Sequence, residues 1–318
     1  QRGSTFTPSA TGYGSLDRWK AVISNASKIS ITQMSDGNIP GNLSNYYARI
    51  QTAAVYTVGS SEYFLFWQSI EGNVFSQSLF GTQEAKPLTL SFWVRTNAPG
   101  KFGGSLENAG QNRAFPFSVD IEAINEWEYK TVHINPCRDG AWTTTTGAGC
   151  YLMFSMGTTI SGGLSNYDWQ GAQRLGPVEE VRRVEMFTST YVDITGVQLE
   201  VGNKATPFDY KSYGEELALC KRYYEEVLLR GIASGGYSAG TGGYDNHLLS
   251  VAYSVEKRAI EGITFDSVGN YQPGGGTGTP SNLYSHTKVL NIKTGSTNST
   301  WQPQVINSNA YAYVDAEL

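Results

Sequence analysis

The chain has 318 residues, of which 40% are hydrophobic and only 16% charged, with 36 Gly, 20 Tyr, 13 Phe and 7 Trp. Its formal charge is -5 and Lys and Arg form no sustained basic run, which excludes a nucleic-acid groove, because phosphate affinity needs a basic field. No apolar stretch approaches the roughly 20 residues that cross a bilayer as a helix, so membrane insertion is not expected.

Residues 1–14 are polar and read as a flexible lead. Residues 15–211 follow as strand after strand. SEYFLFWQSI (61–70), TLSFWVRT (89–96) and EYKTVHIN (128–135) are strand candidates, as are CYLMFSMG (150–157), VRRVEMFTS (181–189) and DITGVQLEVG (193–202). In TLSFWVRT the period of two sets Leu90, Phe92 and Val94 on a core face and Trp93 on the opposite one. Gly, Pro and Asn punctuate the pattern at GNIPGN (37–42) and NAPGKFGG (97–104). The expected fold is mainly β, an antiparallel jelly-roll sandwich of two packed sheets.

A single connecting helix is expected over residues 212–231, SYGEELALCKRYYEEVLLRG. Ser212 and Glu215 form a capping box, Leu217, Cys220, Tyr224 and Leu228 recur at helical spacing, and Gly231 is the stop. Residues 232–318 form a small C-terminal β domain with strands at HLLSVAYSV (247–255), AIEGITFDS (259–267), KVLNIKT (288–294) and AYAYVDAEL (310–318). Four or five strands are marginal alone, and their open edges favour an oligomer.

Catalytic motifs are missing. Glu122, Glu126 and Glu128 lie around a turn and suit a solvated rim, and ordinary surface positions account equally well for Glu179, Glu180, Glu185 and Asp193. His133 stands alone in a strand, and no G-x-S-x-G elbow occurs. The runs AGTGG (239–243) and GGGTG (274–278) share only composition with phosphate loops. No zinc spacing is present and no cofactor is required; a structural Ca²⁺ is compatible with a sandwich, though no EF-hand encodes one. Cys137 and Cys150 flank a Gly- and Thr-rich excursion that a disulfide would close, constraining the unfolded chain by about 3 kcal/mol.

Aromatic residues carry the sharper hint. Trp93 points away from the core face of its strand, while Trp142, inside the Cys137–Cys150 excursion, and Trp169, in NYDWQG, are loop candidates. An exposed indole stacks on sugar C–H faces. Cover by a loop or second subunit is the competing account of Trp93.

AKPLTLSFWVRT (85–96), INEWEYKTVHI (124–134) and above all DITGVQLEVGNKATPFDYKSYGEELALCKRYYE (193–225) resemble a family of bacteriophage tail-fibre and minor virion structural proteins. The resemblance implies a jelly roll similar to a carbohydrate-binding module, carried on an elongated, usually trimeric appendage outside the virion. It places Trp93 and Trp127 in sheet segments, Pro207 and Phe208 at a turn, and Tyr213, Cys220, Tyr223 and Tyr224 in the helix. It implies a homotrimer among other virion appendage proteins, facing a host-surface glycan, with no catalytic residues to transfer. The ending VDAEL resembles the natural C-terminus of such proteins, which implies a C-terminal fragment of a longer chain. A glycan-depolymerising enzyme module and a capsid-surface decoration protein are the alternative readings.

Overall fold

The computed structural model describes residues 4–36, 39–40, 46–162, 168–233, 247–259, 262–265, 271–272, 280–294 and 304–317. The chain divides into two compact units, the larger ending at Tyr210 and the smaller running from Lys211 to Glu317.

The larger unit is an antiparallel jelly-roll sandwich. Its strands are β1 (Thr5–Phe6), β2 (Gly12–Tyr13), β3 (Trp19–Ile23), β4 (Ile29–Met34), β5 (Tyr47–Thr52), β6 (Tyr63–Glu71) and β7 (Leu88–Thr96). They continue with β8 (Gly100–Asn108), β9 (Ala114–Ile121), β10 (Glu128–Ile134), β11 (Ala148–Thr158), the short β12 (Ser161–Gly162) and β13 (Gly176–Pro177), and β14 (Tyr191–Val201). One sheet has the order β1-β4-β5-β14-β7-β10, the other β2-β3-β6-β11-β8-β9. Leu90, Phe92 and Val94 of β7 are all 0% exposed and meet Phe64, Phe66, Phe102, Phe117 and Phe154 from the second sheet. Burying this apolar and aromatic layer is the main force that joins the sheets.

Three features differ from the expectation. The N-terminal lead is paired into the sandwich, β1 on β4 and β2 on β3, so its polar residues sit at sheet edges. VRRVEMFTS is not a strand: it turns through a short 3₁₀ segment at Arg183–Glu185. There the fully buried Arg183 donates to the carbonyls of Ala98, Lys101 and Val181, filling acceptors that a ladder would otherwise satisfy. NAPGKFGG is not a break beyond its first three residues, because β8 begins at Gly100.

The outer face of the second sheet is roofed. Leu65, Trp67 and Met153 form a dry cluster with Leu175, and Ile160 packs on it. Arg174 N–H donates to Glu107 at 2.7 Å, and Ser155 Oγ and Thr158 N–H donate to Glu180 at 2.9 and 2.8 Å, pinning the covering chain to the sheet. The outer face of the first sheet bears the candidate site.

The smaller unit opens with the helix α1 (Tyr213–Lys221), after a four-residue helical turn at Gly72–Phe75 in the larger unit. The Ser212–Glu215 capping box is formed in both directions. The helix then stops ten residues short of Gly231, and Tyr224–Ala233 is a strand, β15. It pairs with Gln304–Asp315, Glu225 opposite Val314 and Val227 opposite Ala312. Within it Tyr224, Glu225 and Val227 are buried and Glu226 is exposed, and buried Lys257 pairs with Glu225 at 2.5 Å. Long-range pairing here overrides local helix propensity. The expected buried stripe is accordingly absent, and no residue of α1 is buried.

The other strands are β16 (His247–Ala252), β17 (Gly262–Phe265), β18 (Tyr271–Gln272), β19 (Pro280–His286), β20 (Val289–Thr294) and β21 (Gln304–Asp315). Their core is small: Val227, Tyr253, Leu290, Ala312 and Val314. The glycine runs at 239–243 and 274–278 lie outside the described residues, as does most of GNIPGN. Among the described residues no helix is long and apolar enough to cross a membrane.

Candidate functional site

On β7 the alternation that buries Phe92 and Val94 turns Trp93 outward. Tyr129 of β10 lies directly across from it in register, and the two rings are 5.3 Å apart at an angle of 50°. On the other side of β7, β14 is regular as far as Thr195 opposite Trp93, then slips so that Gln198 faces Ser91. Gly196, with φ of 60°, occupies the bulge in a left-handed conformation that favours glycine. The bulge interrupts the ladder beside Trp93.

The far wall is built by the chain just after β14. Glu200 accepts from the Thr206 N–H at 2.8 Å and the Thr206 hydroxyl at 2.7 Å. Gln198 donates to Thr206 Oγ1 at 3.1 Å and accepts from the Asp209 N–H at 2.9 Å. These bonds fold the turn back toward the sheet and set Pro207 and Phe208 across from Trp93 and Tyr129. Partial burial works against the ionised Glu200, but the bonds from Thr206 and Gln198 outweigh it and hold the carboxyl below its ordinary value. The resulting cleft has a volume of about 340 Å³ and is lined by Ser91, Trp93, Tyr129, Gly196, Thr206, Pro207 and Phe208. Tyr129 is 45% exposed. Its lining contains no carboxylate, histidine or cysteine. Flat aromatic faces with flanking hydroxyls are suited to stacking on a ligand with apolar C–H surface and hydrogen-bonding its rim.

Farther along the same face the charges are locked together. Arg49 grips Asp193 with two bonds of 2.7 and 2.8 Å, and Arg95 bridges Asp193 at 2.8 Å and Asp36 at 2.8 Å. The Arg95 guanidinium lies 4.7 Å from the Trp127 ring centre and 5.1 Å from that of Tyr47. Hydrogen bonding to Asp193 raises the Arg49 pKa above its usual value. The cluster ties β5, β14 and β7 together and fixes β14 ahead of the bulge.

Of the three tryptophans singled out in the sequence, only Trp93 lines this cleft. Trp142 and Trp169 are packed together at 5.4 Å, and their rings are taken up by Phe75, Phe80 and Phe115. Their indole N–H groups donate to the Asp139 carbonyl at 3.1 Å and the Asn135 carbonyl at 2.7 Å. Both remain partly exposed, at the edge of a packed aromatic cluster and apart from the Trp93 cleft.

The Cys137–Cys150 disulfide is likewise not formed. Both are buried free thiols in the core cluster, and burial pushes the Cys137 thiol up to about 11. Cys137 Sγ donates to the Asp139 carbonyl, and the excursion is held by Arg113, which grips Asp139 with two bonds of 2.8 Å.

Tyr129, Thr206 and Phe208 were missed as site residues. Alternation in EYKTVHI does set Tyr129 on the face opposite Val132, so that signal was available. Nothing local shows that Phe208 returns to Trp93. Glu128, weighed as a rim carboxylate, accepts from the Glu122 and Ala123 N–H groups and pairs with Lys130 at 2.6 Å. Among the described residues no cluster of three or more His, Cys, Asp or Glu side chains is placed to hold a metal ion.

No protein-family model matches the chain, and no curated protein matches it by sequence. Among solved structures it is similar to the enzymatically active domain of bacteriophage CBA120 tailspike protein 4, at 9% identity and a TM-score of 0.32. That match covers 58% of this chain but only 19% of the tailspike chain. A CBM4 structure is similar at 13% identity and TM-score 0.30, over 57% of this chain and 78% of that one. A family 11 carbohydrate-binding module from a Clostridium thermocellum cellulosomal cellulase is similar at 9% identity and TM-score 0.30, over 64% and 99%.

Proposed function

We propose that the larger unit is a non-catalytic glycan-binding sandwich, and that the chain serves in a phage virion appendage attaching to host-surface sugars. The observation that carries the reading is the Trp93–Tyr129–Phe208 cleft: two outward aromatic rings in register, faced by a third on a wall that Glu200 holds. A sugar ring lying on Trp93 would exchange hydrated C–H surface for aromatic contact, with the exposed Tyr129 beside it. The absence of any carboxylate in the lining favours binding over hydrolysis, which ordinarily needs two facing acids. In a homotrimer among other appendage proteins, three weak sites would gain affinity through avidity.

The test is a glycan array followed by titration of the full chain. Binding should fall at least tenfold in W93A and in F208A, and the bound glycan should be recovered intact. Retention of full affinity in both variants would reject the cleft as the site. Light scattering should give the mass of three chains, and a stable monomer would count against the trimer.

A further inference from the structure

Resting on that glycan-binding reading, we infer that the cleft selects an uncharged pyranose, one or two rings in extent, and discriminates against sugars carrying a carboxylate, sulfate or phosphate. A volume of about 340 Å³ is at the small end for small-molecule sites, which suits a short terminal unit better than a long polysaccharide segment. None of the seven lining residues is charged.

The cations beside the cleft on β5, β7 and β10 are engaged within the protein. Lys130, next to Tyr129 in sequence, is held by Glu128 at 2.6 Å. Arg95, two residues from Trp93, is committed to Asp193 and Asp36, and Arg49 to Asp193. An anionic substituent entering the cleft would lose hydration and find no guanidinium fork or ammonium among the lining residues in return. It would instead meet a negative neighbour, because Glu200 stands behind Thr206 and stays ionised through the bonds that build the wall. A neutral ring avoids both costs: its C–H face takes Trp93 and Tyr129, and its hydroxyls can bond the exposed Tyr129 hydroxyl or stay in water at the open side.

The experiment uses matched probes on the full chain: disaccharides of glucose, galactose or mannose, and the corresponding disaccharides ending in a uronic acid. Tryptophan fluorescence and calorimetric titration are run on the native chain, W93A, F208A and P207K. At least one neutral disaccharide should bind with an affinity lowered tenfold or more in W93A or F208A, and its uronate partner should bind at least tenfold more weakly. P207K, which sets a cation on the wall, should narrow that gap. Uronate binding equal to or tighter than neutral binding, lost in W93A and F208A, would overturn the neutral-sugar inference while leaving the glycan reading intact. No sugar binding that depends on Trp93 or Phe208 would overturn both.

Discussion

The two outer faces of the sandwich carry nearly the same aromatic pair in opposite circumstances. Trp93 and Tyr129 lie 5.3 Å apart at 50° on one sheet, and Trp67 and Tyr151 lie 4.7 Å apart at 49° on the other. The first pair lines an open cleft, whereas Trp67 is only 5% exposed beneath Leu175. Local chemistry therefore does not decide whether such a pair is open or covered. The difference comes from where a later segment lands: the chain around Leu175 closes over one pair, while the Thr206–Phe208 turn stands beside the other.

The comparison is most strongly tested by truncating each tryptophan. W67A should cost about 3–5 kcal/mol in urea unfolding, as a large buried ring is lost, and leave sugar affinity per folded molecule unchanged. W93A should cost much less stability and abolish binding. Equal losses of stability would erase the distinction between roofed and open faces.

Proton linkage sharpens the contrast with a smaller effect. Beneath the roof, burial pushes Glu107 and Glu180 from the ordinary 4.5 up to about 7. A raised carboxyl binds its proton more tightly in the folded state, so its contribution is full below 4.5 and lost as pH climbs toward about 7. E107Q and E180Q should each flatten that part of the curve of melting temperature against pH. Glu200 on the open face has the opposite sign: its carboxyl is lowered, so the wall it holds should weaken as pH falls below 4.5. The smallest expected change is in E200Q, which keeps one acceptor for Thr206 and should weaken sugar binding a few-fold with little change in stability. An unchanged affinity in both E200Q and E200A would show that the wall does not depend on this carboxylate.

Much of the sandwich was legible because alternation is a local property. TLSFWVRT alone separated Leu90, Phe92 and Val94 from Trp93, and the structure buries the first three completely. What failed depended on distant partners. Gly103 and Gly104 resembled a turn, yet an added Cβ would come within 2.0 Å of the Phe117 carbonyl oxygen and 1.8 Å of that of Met153. They are glycines because neighbouring strands press on them, not because the chain bends there. YYEEVLLRG kept helical spacing but found a strand partner some eighty residues later in β21. The partners of the partly exposed Trp142 and Trp169 were not legible, because the phenylalanines beside them come from three other segments. The cleft was half legible: Trp93 could be seen, and Phe208 could not.

The wall that completes the cleft is also the last stretch of the larger unit, since Lys211 begins the smaller one. Thr206 and Phe208 are thus in series with any load transmitted along the chain between the units. Tension would reach the Thr206–Glu200 and Asp209–Gln198 bonds before it reached the sheet ladder. Release of these few bonds would free Pro207 and Phe208 from one side of the cleft. A ligand wedged against Phe208 would reinforce them, so a filled site and a stronger tether are two consequences of the same short turn.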